Sequence, residues 1–298
     1  METDTVTVAD LPESAKNFPS GKVSVKTMIV DAFTTQPFKG NPAAICFPSQ
    51  PLTTATMQAI AAEMNLSETA FLTKAHGAKA HQYNIRFFTP TVEIKFCGHA
   101  TLGSAKAVME VFQQNELEFT TYHGLQVSAV KVGDEIQLTF PVYETVDFTP
   151  DEEILQAFGI TETVDTRFAP ATKMLLIEVQ NKETLARLSP DYARAIASSK
   201  LIRQVIVTAK SDDNQYDFYS RCFCPWIGIN EDPVTGASHS MLAPYWAKKF
   251  GKTRLVAYQN SKRGGYLKLN LRNKTTLEVV SSARIVLEGT MDIPHQSC

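Results

Sequence analysis

The sequence predicts an α+β fold made of two halves that repeat one plan. In each half, strand-like segments lead to a glycine-containing turn, one strongly apolar helix follows, and further strands come after it. Residues 141–150 separate the halves and contain two prolines. We expect a flexible tail over 1–22, an N-terminal lobe over 23–145 and a C-terminal lobe over 146–298, with a terminal strand able to cross between the lobes.

Strands and one capped helix open the first half. Thr53 or Thr54 is expected to cap that helix, and the Gly133-Asp134 turn predicts a hairpin. The buried face of the helix is predicted to be Met57, Ile60, Ala61 and Met64. The predicted strands are 23–33, 43–47, 69–74, 82–88, 116–122, 125–131 and 135–140.

An apolar helix is predicted directly after the turn that contains Cys97 and Gly98. Small residues lie opposite its apolar stripe, so we expect the helix to be buried on all sides. The stripe consists of Leu102, Ala105, Val108, Met109 and Phe112.

The second half is predicted to begin with a helix at 149–152, with Pro150 in the first helical position. Its apolar helix follows 232–236, ends at Gly251 and is expected to kink at Pro244. The inward residues of that helix are Met241, Leu242, Tyr245, Trp246 and Phe250. The predicted strands are 172–179, 203–209, 215–223, 254–259, 266–271, 276–281 and 284–288.

Composition narrows the function classes. A net charge of −2 argues against nucleic-acid binding, and the lack of an 18-residue apolar run argues against a membrane span. Five cysteines form an odd, sparse set, which predicts reduced thiols and a cytoplasmic protein. Cys222 and Cys224 share one strand face without a second ligand pair, and no glycine-rich nucleotide motif occurs, so we expect neither a metal nor a cofactor.

The two glycine turns are the candidate binding sites. The start of a helix presents unpaired amide donors and a partial positive charge, and it binds carboxylates without needing a basic side chain. If the halves are related by a pseudo-twofold axis, the two turns face each other across a cleft that holds a small amino-acid-like carboxylate. The expected substrate-binding residues are Gly98, Ala100, Thr235, Gly236, Ala237 and Ser238.

Ionisable side chains stand beside both turns. Cys97 and His99 flank Gly98, and Asp232 precedes the second turn. A thiolate is favoured near a helix start, so Cys97 is a candidate base, and two opposed groups suit removal and return of a proton. Each residue also has a purely structural interpretation, because Cys97 can be a small buried hydrophobic residue, His99 a cap and Asp232 a turn former.

Glu68 is the fourth candidate, at the start of an apolar strand. A carboxylate partly desolvated by Phe71 and Phe88 is expected to have a raised pKa and to shuttle protons. Ser67 and Glu68 can alternatively serve only as turn and capping residues.

Several motifs together resemble the phenazine biosynthesis-like (PhzF-like) family. They are DAFT (31–34), FKGNPA (38–43), NLSETAF (65–71), FTP (88–90), CGHATLG (97–103) and PWIGINEDPVTG (225–236). The resemblance implies a diaminopimelate-epimerase-like fold of two pseudo-symmetric lobes, each with a curved sheet around a central helix. It also implies a homodimer and an isomerase without a cofactor. By the same resemblance Glu68 is the acid/base, and His99 and Asp232 bind and orient the substrate.

Two departures from the family pattern bear on the substrate. Ala237 stands where the family usually has a substrate-contacting serine, and Asn260 stands where a glycine is often found. The wider superfamily suggests an alternative mechanism in which Cys97 and Asp232 form a two-base pair. A non-catalytic metabolite-binding or scaffold protein on the same fold is the alternative function.

Overall fold

The structure, a computed structural model, describes residues 22–74, 77 and 79–294. These residues divide into two units, of which unit 2 is Thr139–Ser281 and unit 1 comprises the chain before Thr139 and after Ser281. The division falls before the predicted boundary at 145/146, and the C-terminal segment belongs to unit 1. Except for Lys22, the predicted tail over 1–22 lies outside the described residues.

The sheet of unit 1 joins the two ends of the described chain. Its strands are β1 (Lys22–Ala32), β2 (Asn41–Pro48), β3 (Glu68–Lys74), β4 (Gln82–Phe88), β5 (Glu93–Ile94), β6 (Glu116–Thr121), β7 (Gln126–Val132), β8 (Glu135–Pro141) and β18 (Ala283–Pro294). β1 pairs antiparallel with both β2 and β18. β2–β3 and β4–β6 are parallel, whereas β3–β4, β6–β7 and β7–β8 are antiparallel.

Two helices complete unit 1. In α1 (Thr54–Met64), the Thr53 hydroxyl accepts the Thr56 amide at 3.1 Å, which confirms Thr53 as the cap. The helix α2 (Gly98–Phe112) fills the connection between β4 and β6 and packs on β1, β2, β3 and β18. Gly103 permits this close packing, since a Cβ there would lie 3.3 Å from Ile45 Cδ1. All predicted stripe residues of α2 are buried except Phe112, which is half-buried.

Unit 2 repeats the same strand plan. Its strands are β9 (Val146–Asp147), β10 (Asp165–Ala169), β11 (Met174–Glu178), β12 (Gln204–Lys210), β13 (Phe218–Cys224), β14 (Ile229–Asp232), β15 (Arg254–Gln259), β16 (Gly265–Leu271) and β17 (Thr276–Ser281). β11–β12 and β13–β15 are parallel, and β10–β11, β12–β13, β15–β16 and β16–β17 are antiparallel. This order of parallel and antiparallel pairs equals that of β1 to β8, so the predicted repeat is confirmed.

The helix α6 (Gly236–Phe250) fills the connection between β13 and β15, as α2 does between β4 and β6. It packs against β15, β16 and β17, and Met241, Leu242 and Trp246 are fully buried. Gly251 ends the helix with a φ of 65°, as predicted. An apolar run alone does not distinguish a buried helix from a buried strand. The length of this apolar run identifies it as a helix.

Unit 2 contains most of the elements that the sequence pattern missed. They are β9, β10, β14, α4 (Lys182–Arg187), α5 (Tyr192–Ser198) and a 3₁₀ turn at Pro225–Ile227. The helix α3 (Glu152–Ala157) begins two residues later than expected because Asp151 takes the cap position, so Pro150 precedes the helix. Each of α4 and α5 is short and buries a single residue, too few for an apolar period. Among the described helices, none has the length and apolar character needed to span a membrane.

Candidate functional site

Unit 1 brings three of the predicted catalytic residues together. Glu68 is the first residue of β3, His99 is the second residue of α2, and Cys97 occupies the cap position of α2. β2 and β3 run parallel with Ala43 beside Glu68, so both strands start at the same edge of the sheet, and α2 packs on both. All three side chains are buried, with exposed fractions of 8% for Glu68, 6% for His99 and 7% for Cys97.

His99 lies between the other two groups. Its Nε2 is 3.1 Å from Glu68 Oε2, and its Nδ1 is 3.3 Å from the Cys97 sulfur. The first contact is an ion pair without the alignment of a hydrogen bond, and Oε2 accepts no hydrogen bond from any described residue. The carboxylate is therefore held against the ring by this ion pair.

The electrostatics of the cluster favour a charged Glu68–His99 pair. Burial raises the pKa of Glu68, but the His99 charge and contacts from Ser67 and Cys97 outweigh it, so the pKa falls below its ordinary value. Burial lowers the pKa of His99, but its contacts with Cys97 and Glu68 outweigh burial and hold the pKa well above its ordinary value. Burial and the charge of Glu68 raise the pKa of the Cys97 thiol.

Two electrostatic expectations from the sequence were therefore wrong. The pKa of Glu68 was expected to rise by desolvation, yet the imidazolium beside it reverses the direction. Cys97 was expected to gain thiolate character from the helix start, yet burial and the neighbouring carboxylate keep it protonated. Both pKa directions depend on the contact between Glu68 and the start of α2, which lie some thirty positions apart in the sequence.

Asn41 is a site residue that the sequence reasoning did not single out. Its side-chain amide nitrogen lies 3.2 Å from His99 Nδ1 and is fully buried. Gly40 sets the position of Asn41, because its φ is 63° and a Cβ would lie 2.0 Å from the Ala32 carbonyl oxygen. The signal that could have found Asn41 was its place inside the FKGNPA motif.

The second glycine turn lies in unit 2, where a buried glutamine holds it in place. Asp232 ends β14, and its carboxylate accepts a hydrogen bond from the Thr235 hydroxyl. Gln259 is fully buried, accepts the Thr235 amide at 2.9 Å and donates to the Asp232 carbonyl at 2.7 Å. The turn is therefore fixed on both sides by one side chain from β15.

The remaining predicted residues differ in accessibility. Gly98, Thr235 and Ala237 are partly exposed, whereas Ala100, Gly236 and Ser238 are buried. The Ser238 hydroxyl donates to the Thr235 carbonyl at 2.8 Å within the first turn of the helix, so it does not replace the hydroxyl absent at Ala237.

The repeat shows which residues correspond between the units. Thr235 caps α6 as Cys97 caps α2, so the position that the two-base alternative assigned to Asp232 belongs to Thr235. Gln204 begins β12 as Glu68 begins β3. The ionisable cluster is thus built in unit 1, while convergence of Asp232 of unit 2 with it stays a prediction.

Comparison with known proteins identifies relatives along most of the chain. The family described as "Phenazine biosynthesis-like protein" matches residues 30–290. Phenazine biosynthesis-like domain-containing protein 2 of Mus musculus is 40% identical over 88% of this chain and 97% of its own length. An uncharacterized isomerase of Halalkalibacterium halodurans is 41% identical, over 82% of this chain and 90% of the relative.

A solved structure confirms the fold class. The crystal structure of a PhzF family protein from Enterococcus faecalis superposes with a TM-score of 0.81 at 37% identity. The alignment covers 90% of this chain and 99% of that chain. The diaminopimelate-epimerase-like fold expected from the motifs is therefore the fold of this protein.

Proposed function

The chain belongs to the phenazine biosynthesis-like family, and on this premise we propose that it is a cofactor-independent isomerase acting on a small amino-acid-like carboxylate. A relative of similar length carries an isomerase name, which supports the reaction class. The reaction proposed is removal of a proton from carbon and its return to another position or to the opposite face.

The observation that carries the proposal is the buried Glu68–His99 pair. A general base must offer an oriented lone pair to the proton that it takes, and Glu68 Oε2 has one that no described residue uses. Glu68 takes the proton and becomes a neutral carboxylic acid, whose proton exchanges with solvent before Glu68 donates a proton to the product. His99, at 3.1 Å, orients the carboxylate and stabilises it in the charged form.

The substrate is proposed to bind through backbone amides and Asp232. Gly98 and Ala237 lie at the starts of α2 and α6 and are partly exposed, and the amide groups of a helix start suit a carboxylate. The hydrogen bond from Thr235 and the Gln259 contacts hold Asp232 in a fixed orientation, which suits a binding role.

Two observations favour Glu68 over the alternative pair of Cys97 and Asp232. The thiol is buried beside a carboxylate, an environment that opposes thiolate formation. In the repeat, the residue that corresponds to Cys97 is Thr235, whose hydroxyl is a poor base.

Solvent deuterium exchange tests the proposal. Candidate amino-acid and unsaturated amino-carboxylate substrates are incubated with the protein in D₂O and followed by ¹H NMR. Glu68→Gln, which keeps size and removes the base, is expected to lower exchange by about 10²-fold or more, and Cys97→Ser is expected to lower it far less. Glu68→Asp is the matched control that keeps the charge.

Other outcomes identify the alternatives. Loss of exchange in Cys97→Ser with retention in Glu68→Gln would establish the two-base mechanism. Ligand binding without exchange in the unaltered protein would establish the non-catalytic alternative. The homodimer expected from the family is a separate proposal, which light scattering of the purified protein tests.

A further inference from the structure

Among the described residues, one cluster gathers three different metal-ligating groups: a carboxylate oxygen of Glu68, the Cys97 sulfur and an imidazole nitrogen of His99. These atoms all lie within 4.8 Å of one another, and all three residues are buried. Glu68 lies some thirty positions before Cys97 and His99, so ligand spacing along the sequence does not reveal this set. It is assembled from the start of a strand and the start of a helix.

The distances approach those of a tetrahedral site. His99 Nε2 lies 3.1 Å from Glu68 Oε2 and 3.8 Å from the Cys97 sulfur. Tetrahedral zinc with its usual bonds to oxygen, nitrogen and sulfur places neighbouring ligand atoms about 3.3–3.5 Å apart. The Glu68 oxygen needs a shift of only a few tenths of an ångström, whereas the sulfur now lies nearer Nδ1, at 3.3 Å, so the Cys97 side chain must rotate toward Nε2 to join the site.

Two further observations support a ligand at this position. Glu68 Oε2 is a buried carboxylate oxygen that accepts no hydrogen bond from any described residue, so it can accept a coordinate bond without losing one. Asn41 lies 3.2 Å from Nδ1, the ring nitrogen opposite to Nε2. With Nε2 on a metal, Nδ1 carries the ring proton, so the Asn41 amide can fix the ring once it turns its oxygen toward Nδ1, as the acceptor partners of metal-bound histidines do.

We propose that Glu68, Cys97 and His99 form a regulatory site for a borderline-soft divalent cation of the zinc class. Three protein ligands leave the fourth tetrahedral position to a water molecule. Coordination releases the Cys97 thiol proton and any proton on His99 Nε2 to solvent, and no electron transfer is involved. The thiolate and imidazole disfavour Mg²⁺ and Ca²⁺, which prefer oxygen ligands.

The consequence for catalysis rests on the proposed function, whereas metal binding itself does not. A cation bound to Glu68 Oε2 occupies the lone pair that takes the substrate proton. Metal occupancy and proton transfer therefore exclude each other, and zinc is expected to act as an inhibitor of the isomerase.

Cobalt absorption tests the binding step without any substrate. The purified full-length chain is treated with a chelator, dialysed under reducing conditions and titrated with Co²⁺. We expect one equivalent to produce thiolate-to-cobalt charge-transfer absorption in the near ultraviolet, reversed by Zn²⁺. Cys97→Ser is expected to lose that absorption, and Glu68→Gln to weaken cobalt binding by roughly tenfold or more.

The control is Cys222→Ala, which removes a buried thiol from unit 2 and should leave the cobalt spectrum unchanged. Circular dichroism of each variant checks that it is folded. Absence of the charge-transfer band in the unaltered protein, or its persistence in folded Cys97→Ser, would overturn the proposal.

Deuterium exchange then separates this proposal from the proposed function. If Co²⁺ binds and Zn²⁺ abolishes exchange in proportion to occupancy, both are supported. If Co²⁺ binds through Cys97 but exchange is undetectable with every substrate, the site stands and the isomerase proposal fails. If exchange continues with the site fully occupied, the inhibitory role is wrong.

Discussion

His239 should make the stability of unit 2 fall as the solution becomes acidic. The residue is fully buried in α6, its Nδ1 lies 2.8 Å from the Thr235 carbonyl oxygen, and its ring stacks on Phe218. Its Nε2 has no hydrogen-bond partner among the described residues. Burial without a partner for the charge lowers the pKa of His239 from 6.5 to about 4.

The sign and size of the effect follow from that shift. Above pH 6.5 both folded and unfolded states are neutral at His239, so the residue contributes no pH dependence. Between pH 6.5 and about 4 the unfolded state binds a proton that the folded state does not, so the free energy of unfolding falls as pH falls. A shift of this size corresponds to a loss of about 3 kcal/mol on acidification to about pH 4.

Tryptophan fluorescence gives a specific assay. Both tryptophans of the chain, Trp226 and Trp246, lie in unit 2, so urea unfolding followed by their emission reports on the unit that contains His239. The unaltered protein and His239→Gln are compared at about pH 7 and about pH 4. Gln keeps a donor for the Thr235 carbonyl but does not titrate.

The comparison isolates His239 from the other ionisable groups, because they are common to both proteins. We expect the stability difference between the two proteins to change by about 3 kcal/mol across this interval in favour of the variant. A difference that stays constant with pH would refute the reasoning, since it would mean that the buried imidazole is not held neutral.

Two further substitutions test the geometry around the glycine turns. Gly40→Ala should destabilise unit 1 by roughly 2 kcal/mol or more in urea unfolding, because the new Cβ would meet the Ala32 carbonyl oxygen at 2.0 Å. Gly133→Ala is its matched control, with a similar φ of 64° and open space around the Cβ, and an equal loss in both would disprove the steric argument. Gln259→Leu should cost about 2–4 kcal/mol in unfolding monitored by fluorescence, because it leaves two backbone groups of the 232–235 turn unpaired. A loss below about 1 kcal/mol would show that the turn does not depend on this side chain.

The sequence pattern was sufficient for the two central helices and failed for α4 and α5. α2 and α6 each combine a glycine turn with a long apolar run, so their type and burial, and the end of α6 at Gly251, follow from local information. The short helices α4 and α5 are fixed by the caps Asn181 and Asp191 and by packing on the rest of unit 2. Both helices are too short to show a repeating apolar pattern that would identify them from the sequence.

The residues of the site could be named from sequence, but their charge states could not. Glu68, Cys97 and His99 were selected by motif, and the structure places them in contact. The directions of their pKa values depend on those contacts, and an isolated desolvation argument gave the wrong direction for Glu68. Asn41 was missed because its role exists only through its distance to His99.

The antiparallel pairing of β1 with β18 has a consequence for how the chain acquires its structure during synthesis. Residues 22–32 leave the ribosome first among the described strands, yet their partner at 283–294 is the last to be made. Unit 2 is one continuous stretch and can fold while translation proceeds. The sheet of unit 1 stays incomplete until β18 is synthesised, and until then one edge of β1 is unpaired. An exposed strand edge is prone to mispairing. Nascent chains stalled before residue 283 should therefore be the form of this protein that most needs a chaperone.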